Sequence, residues 1–110
     1  LAEAGARGRF LLVSSLQAQK PSGSNAAYAA AKAAAEAWTL ALADDLKGTG
    51  ATANVVVINA LVTPEQRAAS PEKAFKTFQG VEDVAATLTF LCTDAARTMS
   101  GQRVVLAGAH

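Results

Sequence analysis

Two short, unbroken apolar runs and a third near the C-terminus set the organisation of this chain. Phe10-Leu11-Leu12-Val13, bounded by Gly8 and by Ser14-Ser15, predicts a buried strand from Arg9 to Ser15. Val55-Val56-Val57-Ile58 centres a second strand from Thr52 to Asn59. A β-branched run with no polar alternation suits a strand covered on both faces, as in a parallel sheet. Arg103 to Ala107 predicts a last short strand after a turn at Thr98 to Gly101.

The intervening segments carry helical patterns. Gln17 to Asn25, with Lys20-Pro21-Ser22-Gly23, reads as a loop. Ser24 or Asn25 can cap a helix running to about Lys47, and its many alanines favour helix intrinsically. Gly48 suits the position just past the helix end, where Lys47 complements the exposed carbonyls. Ala60 to Gly80 reads as irregular, with prolines at 64 and 71 and a short helix between Pro71 and Phe78. Val81 to Arg97 predicts a third helix, with Val84, Leu88, Leu91 and Cys92 as its apolar stripe and Glu82 and Asp83 in its first turn.

The order strand–helix–strand–helix–strand is that of an α/β fold with right-handed parallel crossovers. No internal repeat or linker divides the 110 residues, which suffice for one modest core. In a three-stranded parallel sheet the Arg9–Ser15 strand would leave an apolar edge unpaired. That edge, together with a first residue Leu1 in place of Met, leads to the expectation that these residues are part of a longer protein.

Composition narrows the function. Half the residues are hydrophobic, which favours a globular fold over disorder. The net charge is +1 with interspersed signs, so the clustered basic face of a nucleic-acid binder is missing. Cys92 is the only cysteine, which rules out an internal disulfide, and within Leu88-Thr89-Phe90-Leu91-Cys92 it reads as a small buried hydrophobe more readily than as a reactive thiol. The one histidine is the last residue, His110, so neither a histidine-based triad nor a metal site is expected. The alanine-rich stretch from Ala26 to Ala43 includes Lys32 and Glu36 and does not read as a membrane span. Leu1-Ala2-Glu3-Ala4 lacks the pattern of a signal peptide, so a cytoplasmic location is expected.

One constellation suggests chemistry. Tyr28 and Lys32 are four residues apart, on one face of the predicted helix. Ser15 closes the first strand. A lysine ammonium near a phenol favours the phenolate and brings it toward the range of a general acid or base. Ser15 could hold a substrate oxygen near the Tyr28 hydroxyl, so that the group protonates an alkoxide or deprotonates an alcohol. None of these side chains supplies a hydride, so a cofactor would have to. Tyrosine and lysine at this spacing also occur on helices with no such role; Ser15 at a strand end and the buried strand ending at Asn59 are what lift the pair above coincidence.

Val13-Ser14-Ser15 followed by Asn25-Ala26-Ala27-Tyr28-Ala29-Ala30-Ala31-Lys32-Ala33 resembles the catalytic segment of the short-chain dehydrogenases/reductases. Asn54 to Asn59 is similar to the next strand of that family, and Glu82 to Asp94 with Ser100-Gly101-Gln102 to its last helix and closing turn. The resemblance implies residues 1–110 as the C-terminal half of a doubly wound, Rossmann-type parallel sheet, about three strands with their crossover helices, without the N-terminal dinucleotide-binding half. It implies NAD or NADP as cofactor and a small carbonyl or alcohol as substrate. It makes Tyr28 the proton donor or acceptor and Ser15 the residue that orients the substrate oxygen. Lys32 would then favour the Tyr28 phenolate and hold the nicotinamide ribose hydroxyls.

The resemblance also bears on assembly and on departures from the family. Ala29, Ala30, Ala33 and Ala34 could let a second copy approach, as in a homodimer or homotetramer built through the Tyr28 helix, or could pack on the sheet. The glycine-rich turn of the family has no counterpart, since Gly5-Ala6-Arg7-Gly8 precedes a strand and Gly48-Thr49-Gly50 ends a helix. Where the family carries Pro-Gly after the Asn54–Asn59 strand, this chain has Thr63-Pro64, and the Thr63 hydroxyl could contact the nicotinamide carboxamide. Glu65 to Gln79 reads as a substrate-side lid, with Phe75 and Phe78 lining an apolar pocket or simply packing. Two functions stay open: an oxidoreductase interconverting a carbonyl and an alcohol, or a non-catalytic remnant acting as a dimerisation or interaction module. An unrelated small α/β domain with a fortuitous motif is the third reading.

Overall fold

A computed structural model of the chain describes residues 8–108. Strand β1 (Arg9–Ser15) leads through a 3₁₀ turn (Leu16–Gln19) and a loop into helix α1 (Ala26–Asp45), and then into β2 (Thr52–Ile58). Short β3 (Leu61–Val62), α2 (Pro64–Ala69) and β4 (Gln79–Gly80) precede α3 (Val81–Leu91), a 3₁₀ turn (Asp94–Ala96) and β5 (Arg103–Val105).

The main sheet is parallel, in the order β1-β2-β5, with Arg9 opposite Thr52 and Ser15 opposite Ile58. Every residue of β2 is buried, as its unbroken apolar run predicts. Two apolar clusters follow the alternation of side chains along the strands. Phe10, Ala43, Leu46, Ala51 and Ala53 pack on the α1 side. Val56, Ile58, Val84, Leu91 and Ala96 pack on the α3 side, with Leu11, Val13 and Val104 against them. Helices therefore cover both faces, which is the doubly wound arrangement. Among the described residues β1 forms one edge of the sheet, as expected.

Several expectations are corrected in detail. The third helix stops at Leu91, and Cys92 is its C-cap and is exposed, not buried. Thr93 leaves the helical conformation, with ψ at 163°, and its hydroxyl donates to the Phe90 carbonyl, so the apolar stripe ends a turn early. The short helix lies at Pro64–Ala69, before Pro71 and not after it. It is started by a capping box: Thr63 Oγ1 accepts from the Gln66 N–H while the Gln66 side chain accepts from the Thr63 N–H. Asn25 is the N-cap residue of α1 but does not cap it with its side chain, which instead accepts from the Ser22 N–H.

Buried amides close the far end of the fold. Asn54 on β2 donates to the Met99 carbonyl and accepts from the Gln102 N–H, which ties the closing turn before β5 to the central strand. Gly101 in that turn has φ of +72°, a conformation that favours glycine.

Candidate active site

The C-terminal ends of parallel strands are where α/β sheets present their loops to a ligand. Ser15 ends β1 there and is buried, and its hydroxyl accepts from the Gln17 N–H, starting the 3₁₀ turn that leads the chain away. Helix α1 runs antiparallel to β1. Trp38, well along the helix, meets Phe10 near the start of the strand with ring centroids 5.3 Å apart, which leaves the first turns of α1 beside the strand's C-terminal end.

Lys32 is half-buried, and its Nζ donates to the Val13 carbonyl at 3.1 Å, two residues before Ser15. The same ammonium lies 5.9 Å from the centre of the Tyr28 ring, at the range of a cation–π contact. Tyr28 is 49% exposed, and among the described residues its hydroxyl makes no hydrogen bond. The structure thus brings Lys32 to the end of β1 and Tyr28 to Lys32. It gives Ser15 no direct hydrogen bond to either.

Thr63 begins α2 beyond the end of β2, and its oxygen is engaged as an acceptor by the capping box. Gln79 holds this corner together. Its side chain accepts from the Asn59 N–H and donates to the Ala107 carbonyl, while its backbone N–H donates to the Ala60 carbonyl. Phe75 and Phe78 stack edge to face at 5.3 Å, with Lys73 over both rings. Phe78 also lines a cavity of about 240 Å³ with Arg67, Asp83, Leu106 and others. The two rings pack on each other, and of the pair Phe78 lines the cavity.

The sequence reading overlooks a polar cluster one turn beyond Lys32. Glu36 is buried on α1; it accepts from the Ser14 hydroxyl on β1 and pairs with Arg103 on β5 at 2.7 Å. With its amide oxygen turned toward β5, Gln19 accepts from both terminal nitrogens of Arg103 at 3.2 and 3.3 Å. The signal is present in the spacing. Ala29, Lys32, Glu36, Thr39 and Ala43 recur at intervals of three and four, so Glu36 falls on the sheet-facing stripe of the helix.

Of the alanines considered for helix pairing, Ala29 is buried toward the sheet, whereas Ala30, Ala33 and Ala34 are exposed. Among the described residues no group of acidic, histidine or cysteine side chains could hold a metal ion, and no helix is long and apolar enough to cross a membrane.

Comparison with known proteins places this geometry. A family model described as enoyl-(acyl carrier protein) reductase matches residues 1–109. An NADPH-dependent aldehyde reductase-like protein, chloroplastic, of Arabidopsis thaliana is 33% identical over 115 residues, covering 96% of this chain and 43% of that protein. Acetoin dehydrogenase from Enterobacter cloacae superposes with a TM-score of 0.81 at 26% identity, over 98% of this chain and 44% of that one. A short chain dehydrogenase from Burkholderia cenocepacia J2315, solved in complex with NADP, gives a TM-score of 0.76 at 28% identity, over 96% of this chain and 46% of its own. The chain spans less than half the length of each of these relatives.

Proposed function

Because the chain belongs to the short-chain dehydrogenase/reductase family, we propose that it carries the proton-handling, nicotinamide-side part of an NAD(P)-dependent oxidoreductase that interconverts a carbonyl and an alcohol. The observation that carries this reading is Lys32, tied to the Val13 carbonyl beside Ser15 and lying under the Tyr28 ring. A bound nicotinamide would supply or accept the hydride. In the reducing direction Ser15 donates a hydrogen bond to the carbonyl oxygen, and the Tyr28 hydroxyl gives that oxygen its proton. In the oxidising direction the Tyr28 oxygen takes the proton of the alcohol. The Lys32 cation stabilises the negative charge that remains on Tyr28 after donation.

The donor set fits the nicotinamide ribose. Lys32 has three N–H donors and gives one to Val13, which leaves two for ribose hydroxyls. The Thr63 hydroxyl accepts from Gln66 and keeps its own proton for a carboxamide oxygen. Among the described residues no glycine-rich turn joins a strand directly to a helix, so these residues serve the nicotinamide end of the site and not the pyrophosphate cradle. The relatives bear on the cofactor by name only, one being called NADPH-dependent and another solved with NADP.

The test is nicotinamide-dependent turnover by the complete protein on a panel of aldehydes and ketones. Oxidation of NADPH or NADH coupled to alcohol formation is expected. A folded protein that turns over no member of the panel with either nucleotide contradicts the reading.

Assembly belongs to the same proposal. The outward face of α1 carries the exposed alanines 30, 33 and 34, near Trp38, which is 58% exposed. Small residues let a second helix approach closely, and a second copy of the chain as homodimer or homotetramer would cover the indole. Ala34→Arg is expected to shift the complete protein to a smaller species in light scattering; an unchanged mass contradicts this mode of assembly.

A further inference from the structure

We propose that Glu36 is a positioning residue: it sets how α1 sits on the sheet, and thereby places Lys32 and Tyr28 for the proton transfer described above, the reading on which this inference rests. A carboxylate is costly to bury unless it is paired and hydrogen-bonded. Glu36 meets both conditions with partners from two different strands, Ser14 on β1 and Arg103 on β5. Since β2 lies between those strands, the three side chains form a clamp that reaches across the central strand.

The apolar contact of α1 with the sheet is concentrated toward the C-terminal end of the helix, where Trp38 meets Phe10, and Leu42, Ala43 and Leu46 pack with Phe10, Ala51 and Ala53, away from the Tyr28 end. The buried positions of α1 are Ala29, Glu36, Thr39 and Ala43, and the Thr39 hydroxyl is spent on the Ala35 carbonyl of its own helix. Toward the Tyr28 end the buried apolar residue of α1 is Ala29, whose side chain makes a shallow ridge with little steric resistance to local sliding or rolling. The polar contacts do resist it. Consecutive β1 residues are gripped by consecutive turns of α1: the Val13 carbonyl by Lys32, and the Ser14 hydroxyl by Glu36. A shift of one turn, about 5.4 Å, would break both grips and carry Tyr28 away from the end of β1. Glu36 does not touch the reacting atoms in this arrangement; its oxygens are engaged by Ser14 and Arg103.

The test compares Glu36→Ala, Glu36→Gln, Ser14→Ala and Tyr28→Phe in the complete protein, each checked for folding by circular dichroism. Glu36→Ala is expected to lower kcat at least about tenfold with KM within about threefold, since positioning acts on the transition state more than on substrate binding. Its crystal structure should show the Lys32–Val13 hydrogen bond lost. Glu36→Gln keeps the shape, can accept from Arg103 through its amide oxygen and can donate to the Ser14 hydroxyl oxygen through its amide nitrogen, and should restore at least about a third of kcat. If Glu36→Ala does not fold, Ser14→Ala reads the same clamp through one hydroxyl and should lower kcat at least about threefold. A folded Glu36→Ala protein with near-normal kcat, or with Lys32 still on Val13, overturns the inference. So does a glutamine variant as impaired as the alanine one. Normal kcat in Glu36→Ala with collapse in Tyr28→Phe overturns the positioning role alone. Normal kcat in both overturns the functional reading as well.

Discussion

Replacing Tyr28 by Phe in the complete protein should lower kcat by about 10²–10⁴-fold, the range contributed by a positioned general acid or base. The substitution removes one oxygen and keeps the ring, so the contact with Lys32 survives. The hydroxyl makes no hydrogen bond among the described residues and the side chain is half-exposed, so folding should not suffer. Cofactor affinity should stay within about threefold, because the loss falls on proton transfer and not on ground-state binding. Steady-state kinetics alongside nucleotide titration separate the two. Equal losses of affinity and turnover would assign Tyr28 to binding, and unchanged turnover would remove it from the chemistry.

The second large effect falls on the core. Leu91 is 1% exposed and closes α3 against Val56, Ile58, Val84 and Ala96. Leu91→Ala should cost about 2–5 kcal/mol, the sum of lost transfer energy and the cavity left behind. The neighbouring residue is the control. Cys92 is exposed at the helix C-cap, so Cys92→Ala should change stability by about 0.5 kcal/mol or less. Denaturant midpoints of the two variants measure the contrast. A small effect at Leu91, or equal effects at both positions, would show that the helix face is misassigned.

That pair also shows where sequence reading succeeds and fails. Val55 to Ile58 announces a strand buried on both faces because no polar residue interrupts it, and the structure covers it with α1-side and α3-side clusters. The Leu88–Cys92 run continues the apolar period past the real helix end, and the stop shows in the extended backbone of Thr93 and the bond of its hydroxyl back to Phe90. Thr63-Pro64-Glu65-Gln66 carries the capping-box pattern in plain letters, yet two flanking prolines draw attention to the wrong side of Pro71. The β3–β4 ladder joins two residues to two, too short for any period to register.

The candidate site divides in the same way. Ser15, Tyr28 and Lys32 are legible because strand end and helix spacing are local features of the chain. Glu36 pairs with Arg103, 67 residues later, and Gln79 joins Asn59 to Ala107. Such contacts depend on which strands become neighbours, so they emerge only with the sheet order. A carboxylate on the inward stripe of an alanine-rich helix is the one local hint, since burial obliges it to find partners.

The most direct measurement follows the hydride itself. The complete protein is incubated with a carbonyl compound that it reduces and with NADPH or NADH deuterated at both C4 positions of the nicotinamide. The account predicts an alcohol with one deuterium on the carbinol carbon, formed in step with nucleotide oxidation, and little alcohol when Tyr28 is Phe. An alcohol without deuterium, or the same yield from the Tyr28→Phe protein, would contradict it.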